Sequence, residues 1–237
     1  MNRQGNDLMA QNFQGFFFKL ARAIVRPFYP VKEVLHAERA LSPACYVVHY
    51  QNSKGPILSM AYMPVEVHPW ALHVFCDRKS CYQQYMDYTF TVRFGWPKWL
   101  AAPVCFVLSN IISPLYRSMG CIPVYRGSMK IRETLNLSLE ALYAGQSIII
   151  FPDVAYQSDS AETGEIYQGF LNLEKFYYKK TGAHLPFVPV YCKSVEKTLE
   201  IGEPLYFEGA LPFVQEKQEM AQRLVAAMNR TREEPIS

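Results

Sequence analysis

The chain has 237 residues, half of them hydrophobic and 14% aromatic, which supplies a core for one large α/β domain and excludes a disordered composition. A net charge of +3 is too small to argue for nucleic acid and is compatible with an anionic membrane surface. Six cysteines form no CxxC pair and no His or Cys spacing suits a metal, so neither a metal centre nor a disulfide framework is expected, and a reducing cytoplasm fits.

The first ten residues are polar, so no secretory leader is expected. Gln11 to Tyr29 then mixes Phe and Leu with Lys19, Arg22 and Arg26 at helical spacing. That pattern serves an amphipathic helix at a membrane interface, and equally one packed on its own domain. It sets residues 1–30 apart from a single α/β domain over 31–237. Ala44–His49 reads as a buried strand ending in a histidine, followed by a polar loop and a Gly55-Pro56 breaker. Ala71–Phe75 is a second strand candidate. Trp99 to Tyr116 is apolar and near spanning length, but Pro103 and Pro114 break it and Ser109, Asn110 and Ser113 interrupt it. It reads as a buried helix or a surface dipping into lipid, not as a crossing.

Cys121–Tyr125 is a short strand delivering Arg126 to its end, with Gly127 allowing close backbone approach. Arginine suits bidentate binding of phosphate or carboxylate, and Lys130 and Arg132 add positive charge. Met129–Tyr143 has an apolar stripe at helical spacing, with Ser128 as a candidate cap and Gly145 past its end. Ser147–Phe151 is a strand running into Pro152 and Asp153, a carboxylate able to orient a histidine or to cap a turn. Glu165–Lys180 reads as a helix closed by Gly182. Phe187–Cys192 is a strand whose Pro189 implies an edge, a bulge or a shaped pocket wall. A weaker strand falls at Thr198–Ile201 or Leu205–Phe207, and Phe213–Asn229 closes the chain as a helix. Alternating strands and helices predict an α/β fold with a mostly parallel central sheet flanked by helices. Ligands gather where such strands end, and His49, Arg126 and Asp153 all sit there. No GxGxxG, GxxxxGK[ST] or GxSxG occurs, which argues against dinucleotide binding, P-loop chemistry and serine hydrolysis.

Taken in order, His49, the Gly120–Gly127 stretch GCIPVYRG, Phe151-Pro152-Asp153 and Phe187–Val190 (FVPV) resemble the four motifs of the lysophospholipid (glycerol-phosphate) acyltransferase family. The resemblance covers residues 30–210. It implies a glycerolipid acyltransferase-like fold and transfer of a fatty acyl group from acyl-CoA or acyl carrier protein to a lysophospholipid or glycerol-phosphate hydroxyl. It implies no metal and no resident cofactor, since the thioester is a substrate, and a peripheral place on the cytoplasmic face of a phospholipid membrane. Two motifs depart from the family. The first-motif aspartate is Lys54, which cannot accept a ring N–H. The third motif has Asp153 for Glu, and Val154-Ala155-Tyr156 in place of Gly-Thr-Arg. With the site rebuilt, His49 is the base, and Asp153 or an acid of the Asp159–Glu165 loop is its partner. Arg126 and Gly127 meet the acceptor phosphate. Lys54 faces phosphate or CoA, and Tyr156 stands at the arginine's place. Asn52 or backbone N–H groups near Gly55 polarise the thioester carbonyl. The alternative is an inactive domain kept as a lipid-binding or membrane-associated module.

Overall fold

A computed structural model describes residues 14–154, 163–193 and 195–230. The described residues pack as two compact units, one of residues 14–23 with His68–Thr134 and one of Ile24–Val67 with the described residues from 135 onward.

The fold is α/β with mostly parallel strand pairing. The described residues form seven strands: β1 (Glu33–Leu35), β2 (Cys45–Val48), β3 (Val67–Leu72), β4 (Ile122–Val124), β5 (Ser147–Ile150), β6 (Phe187–Lys193) and β7 (Thr198–Ile201). In the larger unit five of them lie in the order β1-β7-β6-β2-β5. Parallel pairs join β1 to β7, β2 to β6 and β2 to β5; β6 and β7 are antiparallel. Every residue of β2 and β5 is buried, which is why both read as unbroken apolar runs and not as alternating ones.

Helices cover both faces of β6, and the alternation of side chains along that strand shows how. Cys192 turns its thiol to the Gly55 carbonyl of the Lys54–Tyr62 helix, 3.6 Å away. Its neighbour Tyr191 donates its hydroxyl to the Ala227 carbonyl of the Phe213–Arg230 helix. Between sheet and Lys54–Tyr62 helix lies a core of Tyr46, Val48, Leu58, Met63, Ile149, Val188, Val190 and Leu199.

Several expectations need correction. Pro189 sits on an interior strand, not an edge. The Gly202 N–H donates to its carbonyl at 2.8 Å, just past the last β6–β7 pair, Val190–Ile201, so the missing proline N–H falls where the ladder stops. Gly55 and Pro56 do not break the chain; they lie in the first turn of the Lys54–Tyr62 helix, where a proline forfeits no intrahelical bond. The strand expected at Ala71–Phe75 lies earlier, at Val67–Leu72, and His73–Cys76 is helical. Residues 165–167 are not helical, because Ile166 bridges to Asp153; a 3₁₀ turn at Gln168–Leu171 precedes the Asn172–Thr181 helix.

In the smaller unit β3 and β4 pair in parallel. The Lys98–Ser118 helix runs through Pro103 and Pro114 without a break, and it is not a buried helix. Its inward stripe is Ala101, Cys105, Ser109 and Ser113; Trp99, Phe106, Val107 and Ile111 are each more than half exposed. Before it runs a π-helix, Tyr85–Arg93, in which the Thr91 hydroxyl donates to the Met86 carbonyl five residues back, at 2.7 Å. Phe16–Phe28 is helical, with Phe18 buried and Phe16, Phe17, Leu20, Ile24 and Phe28 exposed beside Lys19 and Arg26.

Candidate active site

His49 and Asp153 are 104 positions apart in sequence and meet because β2 and β5 are neighbours. The parallel register sets Val47 beside Ile150, so each residue lies just beyond the end of its strand. Both are buried, at 9% and 4% exposure. The Asp153 carboxylate clamps the loop with both oxygens. One, Oδ1, contacts His49 Nδ1. The other, Oδ2, accepts the Tyr50 backbone N–H at 2.9 Å. A carboxylate at Nδ1 fixes the ring and places any proton exchange with a bound molecule at Nε2. It also stabilises the imidazolium once formed.

The turn after His49 is strained. Gln51, Asn52 and Ser53 all have left-handed backbones, with φ of 44°, 47° and 78°, and none is glycine. Gly55 closes it, donating its N–H to the Tyr50 carbonyl at 3.1 Å. A Cβ at Gly55 would stand 1.9 Å from the His49 carbonyl oxygen, so no other residue fits. The Lys54 N–H is likewise committed, to the Gln51 carbonyl at 3.1 Å, and Pro56 has none. Backbone groups at Lys54 and Gly55 therefore hold the turn and do not polarise a substrate; of the two groups expected in that role, Asn52 remains, and its side chain is exposed.

Lys54 does not take the place of an orienting acid. It lines a cleft of about 420 Å³ with Pro27, Phe28, Tyr29, Pro30, Val31, Leu58, Lys193 and Lys197. The last two lysines escaped the sequence reading, because nothing in one sequence ties positions 193 and 197 to position 54. The Tyr50 N–H escaped it too, since a backbone donor leaves no mark in residue type.

Arg126 and Gly127 belong to the other unit, in the turn after β4. Arg126 is exposed, and Gly127 has a φ of +67° with open space where a side chain would stand. Beside them Tyr125 stacks on His73, ring centroids 4.7 Å apart, and Lys130 lies over the Tyr125 ring at 5.7 Å. The Thr134 hydroxyl bonds the Pro123 carbonyl at 2.7 Å and ties the turn to the following helix. Tyr156, and the Asp159–Glu165 loop except Thr163, Gly164 and Glu165, lie outside the described residues.

A second pair repeats the clamp. Glu174, 3% exposed, holds His184 Nδ1 with one oxygen at 2.6 Å and the Leu185 N–H with the other at 2.9 Å. It joins the Asn172–Thr181 helix to the approach of β6, and His184 stacks on Tyr178. No cluster of three metal-ligating side chains occurs among the described residues. The cysteines are poor nucleophiles: burial raises the thiols of Cys45 and Cys121 well above 9.0 and that of Cys192 to about 12. Compared with known proteins, the chain matches no protein family, no curated protein and no solved structure.

Proposed function

We propose that this protein is an acyltransferase that moves a fatty acyl group from a thioester, acyl-CoA or acyl carrier protein, to the hydroxyl of a lysophospholipid or glycerol-phosphate. The observation that carries the reading is the His49–Asp153 clamp, buried at the ends of two adjacent parallel strands. Together with GCIPVYRG and FVPV in family order, it answers the loss of the first-motif aspartate to Lys54 by supplying a carboxylate from the third motif. His49 Nε2 takes the proton of the acceptor hydroxyl as its oxygen attacks the thioester carbonyl carbon. The tetrahedral oxyanion meets the Asn52 amide. It collapses, the C–S bond breaks, and the imidazolium returns its proton to the leaving thiolate. Asp153 keeps the ring oriented throughout. GCIPVYRG gives Arg126 and Gly127 the acceptor phosphate as their partner, and Lys54 faces phosphate or the CoA portion of the donor. No metal or resident cofactor takes part.

Peripheral association with the cytoplasmic face of a phospholipid membrane accompanies the reading. The Lys98–Ser118 helix supports it: small residues face in and large apolar ones face out, the reverse of a helix on a soluble core. By length and hydropathy it is the one helix among the described residues able to cross a membrane. We place it in the interface, with Trp99, Arg93 and Lys98 at headgroup level. The exposed Phe16, Leu20 and Ile24 of the Phe16–Phe28 helix supply a second apolar contact.

The test is thiol release from acyl-CoA and from an acyl carrier protein thioester, across a panel of lysophospholipids. Acceptor-dependent release that disappears in His49→Ala is the expected result. Release unchanged in His49→Ala overturns the mechanism. The Glu174–His184 pair favours one other reading, since it shows the same clamp serving to join elements. On that reading the domain is inactive and binds lipid, and thiol release is absent with every donor and acceptor.

A further inference from the structure

The cleft around Lys54 brings three lysines together against their mutual repulsion. Among the described residues its lining holds Lys54, Lys193 and Lys197 and no acid. Lys193 is partly neutralised from outside the cleft by Glu200, at 3.2 Å. Three lysines against one carboxylate leave about two positive charges facing a space of about 420 Å³, within the range of ligand pockets. The lysines come from unconnected segments, the start of the Lys54–Tyr62 helix, the end of β6 and the turn before β7. Lys197 is held in that turn by a left-handed backbone, φ 58°, and by the Lys32 N–H on its carbonyl at 2.7 Å. The other lining residues, Pro27, Phe28, Tyr29, Pro30, Val31 and Leu58, are apolar or aromatic, and Phe28 is 78% and Tyr29 42% exposed.

We infer that this cleft clamps the headgroup of a phosphate-monoester lipid in a bilayer. A monoester carries a charge of about −1.5 to −2 at neutral pH, which matches the cleft; a diester carries only one charge. The exposed Phe28 and Tyr29 of the lining offer an apolar contact beside the phosphate, which a lipid can use and a soluble phosphate ester cannot. This gives Lys54 a lipid partner instead of CoA, and it stands independently of acyl transfer at His49.

Vesicle co-sedimentation tests it, with phosphatidylcholine alone, with phosphatidic acid added, and with phosphatidylglycerol added at matched surface charge. The wild type binds the phosphatidic acid vesicles best. Lys54→Gln with Lys197→Gln, both exposed positions, weakens that binding on the order of tenfold or more. Phe28→Ser weakens it as well. His49→Ala binds as the wild type does, so loss of thiol release with retained binding separates the two proposals. Glycerol 3-phosphate does not displace the protein. Equal binding to phosphatidic acid and phosphatidylglycerol, or an unaffected lysine double variant, overturns the headgroup clamp. Displacement by glycerol 3-phosphate overturns the lipid source and assigns the cleft to a soluble phosphate ester.

Discussion

His49 and His184 make the same two contacts through their acids, and only one of them ends a central strand. That makes His184 a control within the molecule. Asp153→Asn should lower thiol release by several orders of magnitude, on the scale of the ~10⁴ seen when a protease triad loses its orienting aspartate. Lys54→Ala should cost far less, and His184→Ala should leave release intact at temperatures where the variant is folded. Equal, small effects of Asp153→Asn and Lys54→Ala would remove Asp153 from the mechanism. For Arg126→Ala the expected result is weaker use of phosphate-bearing acceptors and little change for a phosphate-free one, read from KM; a uniform loss would make the arginine structural. Gly55→Ala should be among the most damaging single changes, above about 3 kcal/mol in a denaturant titration, because the new Cβ overlaps a backbone carbonyl that cannot move without the site. His49 and Asp153 were legible in the sequence because each follows an apolar run. The carboxylate's second bond and the cleft's Lys193 and Lys197 were not, since the first uses backbone and the others join Lys54 from distant segments.

Single helices and strands were legible where local pattern and final packing agree. The Phe213–Arg230 helix and strands β2, β5 and β6 fall where apolar spacing puts them. The differences arise where tertiary contacts override local preference. β3 contains Pro69 and a buried His68 whose Nδ1 meets the Gly120 carbonyl at 2.8 Å, so a polar ring and a proline hid the start of this strand. β1 has three residues, too few for any period. Pro103 and Pro114 suggested breaks, yet the Lys98–Ser118 helix continues through both. Its outward apolar face gives a prediction at this scale. Phe106→Glu with Ile111→Glu should abolish vesicle binding on the interfacial reading and leave the circular dichroism spectrum unchanged, because both side chains are more than half exposed. Retained binding would remove this helix from the membrane contact.

For the molecule as a whole, composition forecast a sizeable core and an α/β class, and the strands and helices follow. The division into two packing units had no signature, because each unit is assembled from two separated stretches of chain. The buried thiols tie the stability of the whole to pH. Cys192 ionises near 12 when folded and near 9 when unfolded, and burial raises Cys45 and Cys121 in the same direction. The folded state therefore holds protons that the unfolded chain releases. Stability is complete below about pH 9 and declines as pH rises toward 12. A urea midpoint falling steadily over that window, and flat from pH 7 to 9, is the expected result. Cys45, Cys121 and Cys192 should also resist alkylation at pH 7 until the protein is unfolded, since burial denies these thiols both access and ionisation.

The three left-handed residues after His49 hold a spring that evolution has left wound. Replacing Gln51 or Ser53 by glycine removes the Cβ that makes the conformation costly, a relief of about 1–2 kcal/mol in the folded state that outweighs the roughly 0.4–1 kcal/mol glycine loses through the unfolded chain. Such variants should melt later than the wild type. If the tension holds the imidazole in register, they should also turn over more slowly, exchanging catalytic poise for heat resistance. A laboratory selecting this protein for thermal endurance alone would be drawn to these two codons first, and would harvest robust molecules with a slackened turn behind His49.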